Sequence, residues 1–307
     1  VGRTVDRSTT SHGPADIYPV NTQVSDKTAN DGGFCLEQVQ SVNPLFRITS
    51  LFADRSVAER LLPLYALFAS IEQICSSISD ESVAARKLEW WRGALSGGDS
   101  ASAEHPIIAE LSRTGALEQL PRETLTRLLD MAAYRIEAPA TPGKEELVRL
   151  CQMTGHPGLQ LELALSGNSR PPVPTALAVR RGLAQLVRED LGRERHSWWV
   201  PLDLMAKHGV RREDIPQESM SVAVKELFTD LLREPGIQEY EKVDEKIDIS
   251  KFNQSDRHVF VVDALSRRKL EHTKINSYDK REDIWSRPRA GDLFCCWKAA
   301  RQFSRRK

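Results

Sequence analysis

The sequence lacks an apolar run long enough to cross a membrane, and it lacks an excess of charge of either sign. Its densest apolar stretch, residues 61–78, is interrupted by Pro63 and Glu72, whereas a membrane-spanning helix needs about 20 predominantly apolar residues. The 43 basic side chains balance the 43 acidic ones, so no overall field draws the chain to nucleic acid, and we predict no nucleic-acid contact. The balance is uneven locally, because residues 298–307 contain five cations and no acid.

Cysteine is scarce and irregularly placed. The five cysteines are Cys35, Cys75, Cys151, Cys295 and Cys296, and no two have the C-x-x-C spacing of a zinc or redox site. An odd number that includes an adjacent pair does not predict a disulfide framework, so a reducing compartment is the simplest interpretation. Glycine-rich phosphate loops and the G-x-S-x-G nucleophile motif are also absent from the sequence.

The first 33 residues have few apolar side chains and show no apolar periodicity. Ordering such a segment costs about 1–2 kcal/mol per residue, which its own side chains cannot offset. We therefore predict an extended polar N-terminal tail over residues 1–33, fixed only by contacts outside the segment. The sequence starts at Val1 without an apolar signal core, and a cleaved organellar presequence, a cloning remnant and an incomplete gene model all remain open.

Apolar residues recur at three- and four-residue spacing through most of the remaining chain, as Leu125, Leu128 and Leu129 illustrate. This spacing predicts helices over residues 34–42, 54–78, 80–95, 105–114, 121–136, 143–165, 174–191, 200–207, 217–233 and 292–303. Strand-like alternation is confined to the short segment 258–262. The predicted fold is all-α, with one helical domain over residues 34–307.

Residues 235–292 form a charged insertion in this domain, and poor patterning near its ends predicts loops or short helices. Its large apolar side chains, Tyr240, Phe252 and Trp285, are isolated from one another in the sequence. We predict that this insertion and the N-terminal tail contact neighbouring subunits of a large protein assembly. For the basic residues 301–307, a solvated tail, an inner-membrane surface and an acidic protein remain open as surroundings.

Three stretches, in the correct order, resemble the squalene/phytoene synthase superfamily. The first, residues 61–95, contains Leu64–Tyr65–Ala66 and the phrase K-L-E-W-W-R at residues 87–92, which resemble two consecutive helices of active members. The second, residues 103–111, contains the His-Pro that opens the next family helix, and the third, residues 198–210, reads WWVPLDLMAKHGV. The resemblance implies an isoprenoid-synthase-type helical bundle around a central cavity.

Active members of this family join two prenyl diphosphates, and the resemblance implies that two aspartate-rich helices bind Mg²⁺ for this reaction. Such hard cations take carboxylate oxygens as ligands. In this sequence, the positions of the first acidic motif are Glu72, Gln73 and Ser76, so that one acid of three remains. The first acidic motif is therefore degenerate.

The second acidic motif can be aligned in two ways. An ungapped alignment places Arg188 and Gly192 on its two aspartates, whereas a gapped alignment uses Asp190 and Glu194, an i,i+4 pair on one helical face. Even that pair cannot form a metal cluster across two helices with Glu72 alone opposite it. We therefore predict a pseudoenzyme with no catalytic residue, no bound metal and no cofactor.

The phrase at residues 198–210 is nearer to that of the assembly factor 6 proteins of mitochondrial respiratory complex I, a catalytically silent branch, than to that of the enzymes. This resemblance implies a mitochondrial protein, in the matrix or at the matrix face of the inner membrane. It would act as an assembly factor or a structural subunit of a respiratory-chain complex. Two other functions remain open: an active Mg²⁺-dependent prenyl-diphosphate synthase, and a protein that binds an isoprenoid or lipid in the old cavity.

Overall fold

The computed structural model describes residues 22–78, 80–97, 104–137, 140–167, 173–191, 198–215, 221–233, 247–275 and 284–305. The α-helices in these ranges are α1 (Thr22–Val42), α2 (Phe46–Thr49), α3 (Arg55–Ser77), α4 (Glu81–Leu95), α5 (Pro106–Arg113), α6 (Arg122–Glu137), α7 (Lys144–Leu165), α8 (Thr175–Leu191), α9 (Leu202–His208), α10 (Val222–Arg233), α11 (Arg257–Ile275) and α12 (Ala290–Arg305). Short 3₁₀ turns cover Ser50–Phe52, Arg212–Asp214, Ile249–Lys251 and Gln254–Asp256. These ranges contain no strand, and the all-α prediction is confirmed. Within them, no helix has both the length and the apolar character that a membrane span requires.

Several helix boundaries follow from residues that are visible in the sequence. Asp80 precedes α4, and its carboxylate accepts hydrogen bonds from the backbone N–H groups of Ser82 and Val83, which have no acceptor within the helix. The Ser82 hydroxyl also donates a hydrogen bond to this carboxylate. That bond contributes most, and with the two backbone bonds it lowers the pKa of Asp80 below its ordinary value. Gly209 ends α9 with φ of 61°, a left-handed conformation that a residue without a Cβ adopts at little cost.

Helices α7 and α8 pack backbone to backbone. A Cβ added at Gly182 would lie 1.8 Å from the carbonyl oxygen of Cys151, and one added at Gly155 would lie 2.0 Å from that of Ala178. Such distances are far below van der Waals contact, so both positions require glycine. The close approach fixes α8 against α7 and thereby sets where the charged side chains of α8 lie.

The buried apolar side chains form two large clusters. One joins α1 and α3 to α4, α5 and α6, and contains Leu64, Leu111 and Leu129. The other joins α7 and α8 to α9, α10, α11 and α12, and contains Trp199 and Phe228. Helix α3 of the first cluster and α8 of the second face each other across a cavity, which makes their facing side chains the candidate site.

The described part of the predicted N-terminal tail is helical, so the prediction of an extended segment is wrong for residues 22–33. Helix α1 starts at Thr22 and packs along α3 and α5. Its C-terminal half buries Cys35 and Val39, and extending a helix that is already nucleated adds one backbone hydrogen bond for each residue fixed. Residues 1–21 lie outside the described residues, so the partner contact predicted for them stays a prediction.

The charged insertion is also more regular than predicted, because residues 257–275 form the long helix α11 and the strand-like segment 258–262 lies within it. Two of its three isolated apolar side chains pack within the chain itself, whereas the partner contact predicted for the insertion stays a prediction. Phe252 is 2% exposed and Trp285 is 7% exposed, both within the chain's own core, while Tyr240 lies outside the described residues. These two side chains contact apolar residues that are distant in the sequence. Such contacts could not be predicted from the sequence, because the pattern along the chain does not show which distant residues meet.

Candidate functional site

A cavity of about 90 Å³ lies between α3, α6, α7, α8 and α11. Apolar side chains such as Phe68 and Met131 line much of it. Its charged lining is Glu72 from α3, Arg135 from α6, and Arg181 and Arg188 from α8. The central cavity that the family resemblance implies is therefore present, but three of its four charged side chains are cationic. Among the residues proposed for the two acidic motifs, those that line the cavity are Glu72 and Arg188.

Glu72 and Arg188 form an ion pair across the cavity. The Nη2 atom of Arg188 donates a hydrogen bond to Oε2 of Glu72 over 2.6 Å. The Glu72 side chain is 5% exposed and that of Arg188 is 19% exposed, so solvent screens this pair weakly. The structure thus brings together one residue from each acidic motif. They meet as opposite charges, with no room between them for a cation.

The other two residues of the first motif are used in local hydrogen bonds. Gln73 faces α1, where its Oε1 accepts a hydrogen bond from Gln38 over 2.6 Å and its Nε2 donates to Ser41 over 3.0 Å. The hydroxyl of Ser76 donates to the backbone carbonyl of Glu72 over 2.7 Å, within its own helix. Neither side chain lines the cavity, and neither carries a charge.

Only part of the second motif can be placed. Arg188 lies in α8 as described, and the backbone of Asp190 belongs to the last turn of the same helix. The Asp190 side chain, Gly192 and Glu194 lie outside the described residues. The gapped acidic pair of Asp190 and Glu194 therefore stays a prediction.

A second ion pair beside the cavity joins Arg135 of α6 to Glu189 of α8. Burial alone disfavours the charged guanidinium, but Glu189, with smaller contributions from Cys75 and Glu72, outweighs that effect and raises the pKa of Arg135 above its ordinary value. The pair therefore stays charged. Sequence reasoning missed Glu189, which precedes the proposed Asp190 in the same helical turn.

A third cluster lies on the other side of the cavity and is centred on Glu162 of α7, whose side chain is fully buried. Arg181 pairs with this carboxylate, and the Tyr65 hydroxyl donates a hydrogen bond to it over 2.9 Å. Arg181 also donates to the Tyr65 oxygen over 2.7 Å, and Nδ1 of His258 lies 3.6 Å from Oε2 of Glu162. Burial raises the pKa of Glu162, but Arg181, His258 and Tyr65 together bring it below its ordinary value. The carboxylate is therefore ionised and held by its neighbours.

The described residues around this cavity do not fit the Mg²⁺ ions that the family resemblance implies. Three arginines line the cavity, and each of them forms an ion pair with one carboxylate. The pairs are Glu72–Arg188, Glu162–Arg181 and Glu189–Arg135. Mg²⁺ needs several oxygens arranged around one point, and paired guanidinium groups both occupy those oxygens and repel a cation. Across the described ranges, no group of three or more His, Cys, Asp or Glu side chains is placed to hold a metal ion.

Comparison with known proteins gives curated relatives, solved structures and a family model that this chain resembles. The chain is 20% identical over 203 residues to the mouse protein "NADH dehydrogenase (ubiquinone) complex I, assembly factor 6", and 21% identical to the rat and bovine proteins of that name. The matched region is 64% of this chain and 61% of each relative, so the chain spans about three fifths of the length of these curated relatives.

Two solved structures with a similar fold are named as synthases. A dehydrosqualene synthase in complex with a ligand superposes with a TM-score of 0.66 at 12% identity, over 92% of this chain and 99% of the other. The squalene synthase HpnC of Alicyclobacillus acidocaldarius superposes with a TM-score of 0.58 at 17% identity, over 83% of this chain and 97% of the other. At these identities, the likeness shows the fold alone.

The family model for squalene/phytoene synthase matches residues 39–234. This range contains α3 and α8 with both members of the Glu72–Arg188 pair. The chain belongs to the squalene/phytoene synthase family.

Proposed function

We propose that this chain is a catalytically inactive member of its family that acts as an assembly factor or structural subunit of a mitochondrial respiratory-chain complex. The Glu72–Arg188 ion pair is the observation that carries the proposal, because it joins the two motif helices by a salt bridge instead of a shared metal. The relatives named complex I assembly factor 6 support the assembly role. With this role we propose a location in the matrix or at the matrix face of the inner membrane.

The ion pair opposes metal-dependent ionisation of a prenyl diphosphate, because it occupies the one acidic side chain left in the first motif. A Mg²⁺ ion that took the Glu72 oxygen held by Arg188 would have to displace that guanidinium, and leaving one member of a buried pair without its partner costs about 3–5 kcal/mol. The partial exposure of Arg188 reduces this cost to about 2–4 kcal/mol, which still lowers metal affinity by roughly 30- to 1,000-fold. Gln73 and Ser76 add no charge that could restore it.

The two alternative functions have less support. An active synthase would need acidic oxygens that are free to coordinate, whereas the carboxylates of Glu72 and Glu162 are held by arginines. An isoprenoid or lipid carrier would need a larger cavity, since about 90 Å³ is well below the roughly 300–1,000 Å³ of typical small-molecule sites.

Turnover is the direct test of inactivity. Purified protein is incubated with farnesyl or geranylgeranyl diphosphate and Mg²⁺, and release of pyrophosphate and of joined products is measured against heat-denatured protein. We expect no release above that background. Mg²⁺-dependent product formation that falls in a Glu72→Gln variant would contradict the proposal.

Partner binding tests the assembly role separately. We propose that residues 1–21 and the charged insertion around 235–292 provide the partner contacts. A tagged chain is cross-linked in isolated mitochondria, and captured proteins are compared between the full chain and a variant that starts at Thr22. Respiratory-chain subunits that are captured by the full chain and lost from the truncated one support the proposal. Equal capture by both variants contradicts a contact through residues 1–21, and capture of no respiratory-chain subunit contradicts the assembly role.

A further inference from the structure

Helix α12 turns large apolar side chains towards solvent. Leu293 is 46% exposed, Phe294 is 62% exposed and Trp297 is 44% exposed. The Phe294 and Trp297 rings lie 5.7 Å apart, so that they form one aromatic surface. The opposite side of the helix packs into the protein through buried residues such as Cys296 and Ala300.

Cations share this solvent-facing side. Lys298, Arg301 and Arg305 follow Phe294 at spacings of four, seven and eleven residues, which places all four on one stripe of an α-helix. All three cations are exposed, and the Arg301 guanidinium lies 5.2 Å from the centre of the Trp297 ring. The outer face of α12, made of Leu293, Phe294, Trp297 and these cations, is thus both aromatic and basic.

No acid of α12 neutralises this outer face. The only carboxylate in the helix is Asp292, which is 2% exposed. It accepts hydrogen bonds from Lys269 over 2.6 Å and from Arg268 over 3.1 Å, both from α11. These contacts also attach α12 firmly to α11, so the outer face is carried by a fixed helix.

The surface beside α12 has the same character. Helix α2 and the 3₁₀ turn Ser50–Phe52 pack next to α12. They add Leu51, which is 70% exposed, and the exposed side chain of Arg47. The elements that pack against α12 therefore also expose an apolar and a basic side chain.

We propose that the outer face of α12 docks onto an anionic lipid bilayer. Exposed Trp and Phe on a basic helix are typical of interfacial docking, because amphipathic rings settle at headgroup depth while Lys and Arg contact lipid phosphates. Charge complementarity favours an anionic bilayer as the partner of this face. The chain as a whole has no net charge, yet cations are concentrated beside the exposed aromatic side chains of α12. The face of a single helix is convex, so it suits a deformable headgroup layer better than a protein, which would need a matching acidic groove. This docking is independent of whether the cavity is catalytic.

Sedimentation with vesicles tests the electrostatic part. The full chain is mixed with vesicles of phosphatidylcholine alone, or of phosphatidylcholine with about 30 mol% phosphatidylglycerol. We expect binding to the anionic vesicles only, weakening as salt is added. The variant Lys298→Glu/Arg301→Glu should bind at least about tenfold more weakly, because each cation near an anionic surface strengthens binding to it and the variant loses two of them. The control Arg86→Glu/Lys87→Glu makes the same charge change at exposed positions of α4 and should bind like the wild type.

Apolar variants test insertion. Phe294→Ala/Trp297→Ala should lose most binding, whereas the control Leu202→Ala/Val222→Ala, at positions 43% and 72% exposed, should keep it. Trp297→Phe should still bind, but it should lose part of the tryptophan quenching that brominated lipids cause in the wild type. Because the altered side chains are exposed, each variant should keep the wild-type circular dichroism spectrum.

Four results would overturn the proposal. One is the absence of binding to anionic vesicles at low salt. Another is binding by both α12 double variants that equals that of their controls. The third is tryptophan quenching in Trp297→Phe that equals that of the wild type. The fourth is capture of an acidic protein by this face in place of vesicles, which would identify a protein interface instead.

Discussion

Replacing Arg188 with methionine should destabilise the protein by about 2–4 kcal/mol, because it removes the guanidinium that donates a hydrogen bond to the buried Glu72 carboxylate. The lower bound allows for the 19% exposure of the Arg188 side chain, through which water can reach the site. Adding Glu72→Gln removes the charge that Arg188→Met leaves behind. The double variant should therefore recover much of the loss and lie within about 1–2 kcal/mol of the wild type.

Urea unfolding of the wild type, both single variants and the double variant gives the coupling between the two side chains, which we expect to be about 2 kcal/mol. Arg92→Met is the control, since Arg92 pairs with Asp130 at a surface site where 33% and 59% of the side chains are exposed. It should cost less than about 1 kcal/mol. A coupling energy near zero, or a loss in Arg188→Met no larger than that in Arg92→Met, would refute the argument that a buried ion pair joins the two motif helices.

Other variants test the packing and the second ionic cluster. Gly182→Ala should destabilise the protein by about 3 kcal/mol or more in urea unfolding, because its Cβ would meet the Cys151 carbonyl at 1.8 Å; an unchanged midpoint would show that α7 and α8 are not in backbone contact. Trp285→Ala should lower the free energy of unfolding of the purified chain by about 3–5 kcal/mol, since this side chain is 7% exposed and donates a hydrogen bond to Thr273 over 3.1 Å. A loss under about 1 kcal/mol would indicate that Trp285 is exposed and available to a partner protein. The pKa of Glu162 is below its ordinary value, so its contribution to stability is present above pH 4.5 and is lost as the pH falls through the lowered pKa. Glu162→Gln should therefore show a smaller fall in unfolding free energy below pH 4.5 than the wild type, and an identical fall would contradict the ionised assignment.

The helices with one buried stripe could be predicted from the sequence because a 3.6-residue period is visible in them. Helix α11 was missed, since burial on several sides mixes its apolar residues with charged ones and hides the period. Lys269 illustrates this, because it is 1% exposed and forms a buried ion pair with Asp292, whereas the sequence alone would suggest an exposed lysine. Charge in a sequence does not distinguish these two uses.

The site could be predicted only in part. The resemblance placed Glu72 and Arg188 at motif positions, but their direct contact depends on how α3 and α8 face each other, which no local pattern contains. Glu162 gave a usable signal, since a single carboxylate between Leu161 and Leu163 in an apolar helix must find a partner when buried. The identity of that partner, Arg181, again depends on the tertiary structure.

Complementation separates a structural role from a catalytic one most directly. Cells lacking this chain are supplied with the wild type or with the Glu72→Gln/Arg188→Met variant, whose remaining first-motif side chains are all uncharged, and assembly of the respiratory-chain complex is followed on native gels. The protein levels of the two chains are matched, so that folding is controlled. We predict that the variant restores the complex as fully as the wild type does, because the role does not depend on acidic chemistry in the cavity. Failure of the folded variant to restore the complex would contradict the central claim.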